Sequence, residues 1–348
     1  MIRKEEIDEI LKEYNGIKIA TICSHSALQI FHGAKKEGFK TVGICLRDRI
    51  DVYESFPLAR PDIFIIVDSF EEFSEQVDKL REMNSIIVPH ASFVSYIGVD
   101  KILNLELPIF GNRLSLLWES NRERQAFWLQ SSGLKIPKTY MSVKEVGETD
   151  KIFVKYHGAK GGSGYFVVKG SELKKMINGK KIDLEDIFLQ EFISGVRYYP
   201  HFFYSPLFKR LELLSMDKRV ETIDESYRGW PLSFEDYMDY TVSGNMPVIV
   251  RESLLKHIIF MGKNIVKRSK ELFYPGILGP FCLETIYHPE KGFYVFEVSA
   301  RIVAGTNLFP MGSFYSWYIF DKPMSTGRRI AYEIRIAKQR NMLNKVFY

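Results

Sequence analysis

Short apolar runs alternate with amphipathic stretches through the first third of the chain. Ile17–Cys23, Thr41–Leu46, Ile63–Val67 and Ile86–Pro89 read as strands, and Ser26–Gly38 and Phe70–Met83 as helices. Strands that are apolar almost throughout are buried on both faces, so this punctuation predicts a parallel sheet covered by helices. Ligands of such sheets bind beyond the carboxyl ends of the strands. Two turns fall there, Ser24-His25-Ser26 and His90-Ala91-Ser92-Phe93. Each places a hydroxyl and an imidazole where a phosphate monoester can accept hydrogen bonds, and a helix amino terminus adds about 0.3–1 kcal/mol toward an anion. Ser26 also reads as a plain helix N-cap. A helical stretch from Pro108 to Gly133 then leads out of the sheet.

Beyond it the pattern changes to antiparallel punctuation. Ile152–Lys155 is a strand, Tyr156–Gly164 is rich in glycine, and a second apolar run begins at Tyr165. No Gly-Lys-Ser/Thr and no helix follows the loop, which excludes a P-loop and the dinucleotide fingerprint. A glycine-rich flap between antiparallel strands lets backbone N–H groups close over phosphates. Gly161, Gly162 and Lys155 are therefore candidate nucleotide contacts. Phe188–Gly195 reads as an edge strand, in which Gln190 offers backbone to an adenine and Glu191 reaches ribose hydroxyls. Glu212–Glu221 is a strand with a charged end, Thr241–Pro247 a turn carrying Asn245, and Arg251–Leu272 a long helix.

The most telling pair lies near the end. Phe281–Tyr287 and Phe293–Ser299 read as a hairpin with His288–Gly292 as the turn. With the tip centred between Glu290 and Lys291, Glu284 faces Glu297 with Cβ atoms about 5 Å apart. Two carboxylates at that distance repel by roughly 3 kcal/mol at an effective dielectric near 20. The pair lies either on a solvent face or around a cation, and oxygen ligands of this kind suit Mg²⁺ together with water and nucleotide phosphates.

Bulk properties narrow the field. At 348 residues the chain fits two or three subdomains. A net charge of +5, without a concentrated basic stripe, suits small anionic substrates and excludes nucleic acid as the expected partner. No apolar run reaches membrane-spanning length and the start is a charged helix, so no membrane partner is expected. Cys23, Cys45 and Cys282 lie in apolar runs without Cys-x-x-Cys spacing, as expected of buried thiols in a cytoplasmic protein. Arg328–Arg340 alternates with apolar residues as an amphipathic helix, packed on the body or on another subunit.

Strand-Lys155, glycine flap, strand with Glu191, Glu284 and Glu297-Val-Ser-Ala-Arg301 occur in an order that resembles the ATP-grasp superfamily. Ser299 stands where the common pattern has Asn. More closely, Ser24–Leu28, Val88–Phe93, Phe110–Arg113, Gly158–Gly162, Gly244-Asn245, Arg251–Leu255, Gly279–Glu284 and Phe296–Arg301 through Asn307 resemble the archaeal formate-dependent FAICAR synthetases, the PurP family. The resemblance spans nearly the whole length and implies an α/β fold, an ATP-grasp domain preceded by a Rossmann-like parallel-sheet domain. It implies domains at 1–120 and 121–348, the latter with a small lobe at 151–195 and a large lobe at 196–348. The implied reaction is ATP-driven transfer of formate, through formyl phosphate, onto the amine of AICAR ribotide, with ADP and phosphate released, in purine biosynthesis. By this resemblance His25, Ser26 and Ser92 contact the ribotide and Asn245 its base, Glu221 closes on ATP, Glu284 and Glu297 hold Mg²⁺ (Mn²⁺ as an alternative), and Arg301 and Glu297 serve phosphoryl transfer. A homo-oligomer is expected, with the aromatic run Phe314–Tyr318 as its hint. Ser163 in the flap and the segment 223–239 depart from the family pattern. Two alternatives stay open on these residues: an ATP-grasp ligase for another nucleotide-like amine, and a non-catalytic ribotide-binding paralogue.

Overall fold

The structure, a computed structural model, describes residues 1–156, 165–179, 182–183, 187–221 and 242–348. Strands β1 (Lys18–Ile22), β2 (Lys40–Leu46), β3 (Ile63–Val67) and β4 (Ser85–Ile87) form an all-parallel sheet in the order β3-β2-β1-β4. Ala20, Ile22, Val42, Ile44 and Ile65 are buried in it, as a parallel sheet covered on both faces requires. The expected helices form at Ala27–Lys36 and, after a 3₁₀ turn over Phe70–Gln76, at Val77–Glu82. The stretch after Pro108 is two helices, Arg113–Ser120 and Arg122–Ser131. The break falls at Asn121, whose Oδ1 accepts from the Arg124 N–H at 2.9 Å and starts the second helix.

Strands β5 (Thr139–Tyr140), β6 (Lys151–Tyr156), β7 (Tyr165–Lys169) and β8 (Ile187–Glu191) make an antiparallel sheet in the order β5-β8-β6-β7. Strand β8 lies between β5 and β6 and is not an edge strand, which corrects the expectation for Gln190 and Glu191. The glycine loop joining β6 to β7, with Gly161 and Gly162, and the segment 223–239 lie outside the described residues.

The third sheet carries β9 (Val196–Ser205), β10 (Arg210–Glu221), β11 (Val242–Pro247), β12 (Gly279–His288) and β13 (Gly292–Ser299) in the order β11-β10-β9-β12-β13. Thr241–Pro247, expected as a turn, is mostly strand β11, with Asn245 paired to Arg219. One face of this sheet packs Phe202, Phe281, Leu283 and Val298 on Ile258, Met261 and Ile265 of the helix Glu252–Leu272. Fully burying each such side chain contributes roughly 1.5–3 kcal/mol. Gly262 permits this approach, since a Cβ there would lie 2.9 Å from both Leu211 and Phe202.

The helix Thr326–Gln339 packs on Ala27–Lys36 of the parallel-sheet region, and Gly33 meets the Arg328 backbone so closely that any Cβ would collide with it. Arg328 and Arg335 both reach Glu37, at 2.7 and 2.8 Å. The basic helix is thus accounted for within the chain. Its Arg329 is fully buried, 2.7 Å from Glu212 and 2.7 Å from Glu333, with its guanidinium over the Phe203 ring.

Candidate active site

Side chains alternate between the faces of a strand, and the face opposite the long helix carries most of the sheet's polar residues. Across the five strands it presents Asn245, then Asp217, Arg219 and Glu221, then Arg197, Tyr199 and His201, then Glu284 and finally Glu297. Glu284 does pair with Glu297. The route differs from expectation: the hairpin tip centres on Glu290, with His288 opposite Gly292, and a bulge after Glu284 restores the pairing.

Burial and the Glu284 charge push the Glu297 carboxyl up to about 7. Arg219 answers Glu284 directly, donating to its Oε1 at 2.5 Å while its guanidinium lies 4.1 Å from the Tyr199 ring centroid. Arg301 pairs with Glu119 at 2.9 Å, and Glu119 also accepts the Ala300 N–H at 2.8 Å. Burial holds Glu119 above the usual carboxylate range. Facing this centre from the small lobe, Lys155 is pulled below the usual lysine range by burial, opposed by the charges of Glu297 and Glu284.

Two carboxylates are what Mg²⁺ needs from protein when water and nucleotide phosphates complete its shell. Among the described residues no group of three or more His, Cys, Asp or Glu gathers to hold a metal alone. The donor set therefore fits a divalent cation whose shell is completed by other ligands.

The parallel sheet meets this face at residues 302–307. His90 forms a bridge with Ile302, and Gln29 Nε2 donates to Thr306 Oγ1 and Asn307 Oδ1, both at 2.6 Å. His25 has φ of +50°, a left-handed conformation costing a non-glycine residue about 1–2 kcal/mol. It stacks its ring over His90 at 5.5 Å. Although the residue has solvent access, the surrounding protein, His90 and the cations Arg301 and Arg219 hold His25 down to about 3. It is neutral at physiological pH. Ser26 sits at the start of its helix without capping it; its Oγ lies 2.7 Å from His25 Nδ1 and orients that ring. Ser92 Oγ accepts from Ser24 Oγ at 3.1 Å, and Arg49 donates to Ser24 Oγ at 3.3 Å.

Of the expected site residues, Glu284, Glu297, Arg301, Lys155, Glu221 and Asn245 converge on this face, and His25 is close enough to feel Arg301 and Arg219. Glu221 takes a hydrogen bond from Arg197. Gln190 and Glu191 stand apart, within the small-lobe sheet. The Glu191 N–H donates to Lys138 O at 2.8 Å and its carboxylate accepts from the Lys138 N–H at 3.2 Å.

A family model described as "Domain of unknown function (DUF1297)" matches residues 168–347, and one described as "Protein of unknown function (DUF1246)" matches 19–140. A protein of Korarchaeum cryptofilum named 5-formaminoimidazole-4-carboxamide-1-(beta)-D-ribofuranosyl 5'-monophosphate synthetase is 50% identical over 100% of both chains. One of the same name from Methanothrix thermoacetophila is 46% identical over 99% of both. The chain belongs to this synthetase family. An IMP biosynthesis protein PurP from Thermococcus kodakaraensis superposes with a TM-score of 0.78 at 33% identity, covering 95% of this chain and all of that one. N5-carboxyaminoimidazole ribonucleotide synthetase from Thermotoga maritima, at 15% identity and a TM-score of 0.60 over 92% of this chain and 76% of its own, shares the fold. The fold of this synthetase family member is ATP-grasp, with a parallel-sheet region ahead of the antiparallel sheets.

Arg219, Glu119 and Asp217 were not singled out as site residues from the sequence. Period-two alternation with Glu221 puts Arg219 and Asp217 on the site face once that strand is recognised. Glu119 has no comparable signal, because only the tertiary fold brings its helix beneath Ala300 and Arg301.

Proposed function

We infer that the chain is an ATP-dependent ligase that joins formate to the 5-amine of AICAR ribotide, giving FAICAR, ADP and phosphate in purine biosynthesis. Family membership carries the activity, and the observation that carries the site is the pairing of Glu284 with Glu297, flanked by Arg219, Arg301 and Lys155. In this reading residues 1–120 hold the phosphate side of the acceptor, and residues 121–348 bind ATP and, through Asn245, the acceptor's base.

Glu284 and Glu297 would hold Mg²⁺, which when bound neutralises phosphate charge during transfer to formate. The chain's own residues do the rest by position and charge. Lys155 and Arg301 face the transferring phosphoryl group. Gly161 and Gly162 would contact the nucleotide phosphates, and Glu221 would bond the nucleotide from its own strand. Ser24, Ser92 and Arg49 suit the 5'-phosphate, since together they offer two hydroxyls and a fixed cation. His25, oriented by Ser26 and kept neutral, offers hydrogen bonds to the ribotide without competing for the proton that the amine must lose.

The deciding assay is ADP release with Mg-ATP and AICAR ribotide, with and without formate. Formate-dependent ADP with an equal amount of FAICAR is expected, and formate-independent ADP release would refute the assignment. For the acceptor side, His25→Ala should raise the KM for the ribotide about tenfold while leaving that for ATP within about twofold. Equal changes in both would make His25 a purely structural residue.

We further propose that the chain works as a homo-oligomer through the helix Phe314–Phe320, where Phe314, Trp317 and Tyr318 are 49, 48 and 76% exposed. Aromatic residues are enriched at such interfaces. Trp317→Glu should shift the protein to smaller species in analytical ultracentrifugation; an unchanged sedimentation profile would place the interface elsewhere.

A further inference from the structure

Asn245 does not stand alone on its strand. Its Nδ2 lies 2.6 Å from Asp217 Oδ2, and a carboxylate only accepts, so the amide must donate in that direction. Asp217 is itself held. Its Oδ1 lies 2.8 Å from His201 Nε2, and His201 Nδ1 lies 2.8 Å from Ser215 Oγ. Asp217, His201 and Ser215 are all buried. Gly305, in the Gly305-Thr306-Asn307 run, leaves the room this carboxylate occupies, since a Cβ there would fall 2.4 Å from Asp217 Oδ1.

We propose that Asp217 is a positioning residue that sets the polarity of Asn245, so that the site receives an amide oxygen and selects a ligand bearing an N–H. With Nδ2 committed to Asp217, Asn245 turns Oδ1 away from it, and among the described residues nothing donates to that oxygen. The inference rests on the reading of Asn245 as a contact to the ribotide base. Strand β11 lies three strands from β12, roughly 14 Å at ordinary strand spacing. The amine that reacts must approach the phosphoryl centre on β12 and β13, so Asn245 meets the other end of the base, the 4-carboxamide. A carboxamide donates an N–H to Oδ1, whereas a 4-carboxylate in its place only accepts and would oppose an oxygen. A site built around one hydrogen bond rejects the analogue lacking it, because the buried partner is left unpaired.

Asp217→Asn reverses this arrangement with almost no change in shape. His201 Nε2, 2.8 Å from Asp217 Oδ1, would keep the oxygen of the new amide on its side. Its NH₂ would then face Asn245, which must turn over and present Nδ2 to the ligand.

The test measures KM for AICAR ribotide and for ATP, together with the inhibition constant of the 4-carboxylate ribotide, in the wild type, Asp217→Asn and Asn245→Ala. The wild type should discriminate against the carboxylate analogue by about tenfold or more, and Asp217→Asn should abolish or invert that preference while leaving the KM for ATP within about twofold. An unchanged preference in folded Asp217→Asn overturns the proposal. Should that variant fail to fold, Gly305→Ala displaces the same carboxylate without altering charge. It should raise the ribotide KM alone, and an unchanged value would likewise overturn the proposal. Asn245→Ala separates the two levels: if it leaves the ribotide KM unchanged, the reading of Asn245 as a base contact fails, whatever Asp217 does.

Discussion

Glu297→Gln abolishes formate-dependent ADP release, with an expected loss of about a thousandfold or more in kcat, because charge stabilisation by a bound divalent cation is worth several kcal/mol. The same substitution stabilises the metal-free protein at pH 8. The Glu297 carboxyl is raised in the folded state to about 7 from an ordinary 4.5, chiefly by burial and then by Glu284. A carboxyl raised on folding binds its proton more tightly in the folded chain. Stability is therefore greatest below pH 4.5 as far as this group is concerned, and falls as pH rises from about 4.5 through 7. Removing that charge should recover about 1–3 kcal/mol above pH 7, seen as a higher midpoint in urea without metal. Added Mg-ATP should reverse the order, protecting the wild type and leaving the variant unprotected. A variant with near-normal turnover, or one less stable than wild type at pH 8, would remove Glu297 from the metal site.

Arg329→Met destabilises the fold by about 3–5 kcal/mol, because Glu212 and Glu333 are left buried with their shared cation gone. Arg210 also reaches Glu212, at 2.7 Å, but Glu333 has no other cation among the described residues. Replacing Glu333 by Gln in the same chain should return part of the loss. Urea melts of the single and double variants give the coupling directly, and a loss below about 1 kcal/mol would show that solvent or rearrangement relieves the two carboxylates.

Much of this architecture was legible in the sequence, and the exceptions share a cause. The parallel strands are legible because Ile63–Val67 is apolar throughout and Ile17–Cys23 is apolar apart from Lys18 and Thr21. The acidic hairpin was legible because two glutamates interrupt strands that are otherwise apolar. Its register came out as expected only because a bulge after Glu284 offsets a tip centred one half-step away. The segment Thr241–Pro247 reads as a turn, since Ser-Gly-Asn and Pro dominate local propensity there, while the pairing of Asn245 to Arg219 is a tertiary fact. Strand β8 reads as an edge strand because its neighbour β5 is only two residues long and leaves no period to read. Arg219, 65 positions from Glu284, is marked only by its period-two spacing from Glu221, and Glu119, 182 positions from Arg301, carries no local mark.

The seam at residues 302–307 governs where the molecule can yield. Ile302 bridged to His90, Gln29 bonded to Thr306 and Asn307, and Gly33 seated on Arg328 join the parallel sheet to the large antiparallel sheet by backbone and buried side chains. Among the described residues the small sheet β5–β8 has no comparable fastening; it is entered at Lys135–Lys138 and left at Phe192–Gly195. Amide protons along the seam should therefore exchange only when the whole molecule unfolds, while those of β5–β8 escape through a cheaper local opening. The two large sheets then form one preset body and the small sheet is its movable part, so a cross-link across the seam should leave turnover intact and one pinning the small sheet should stop it.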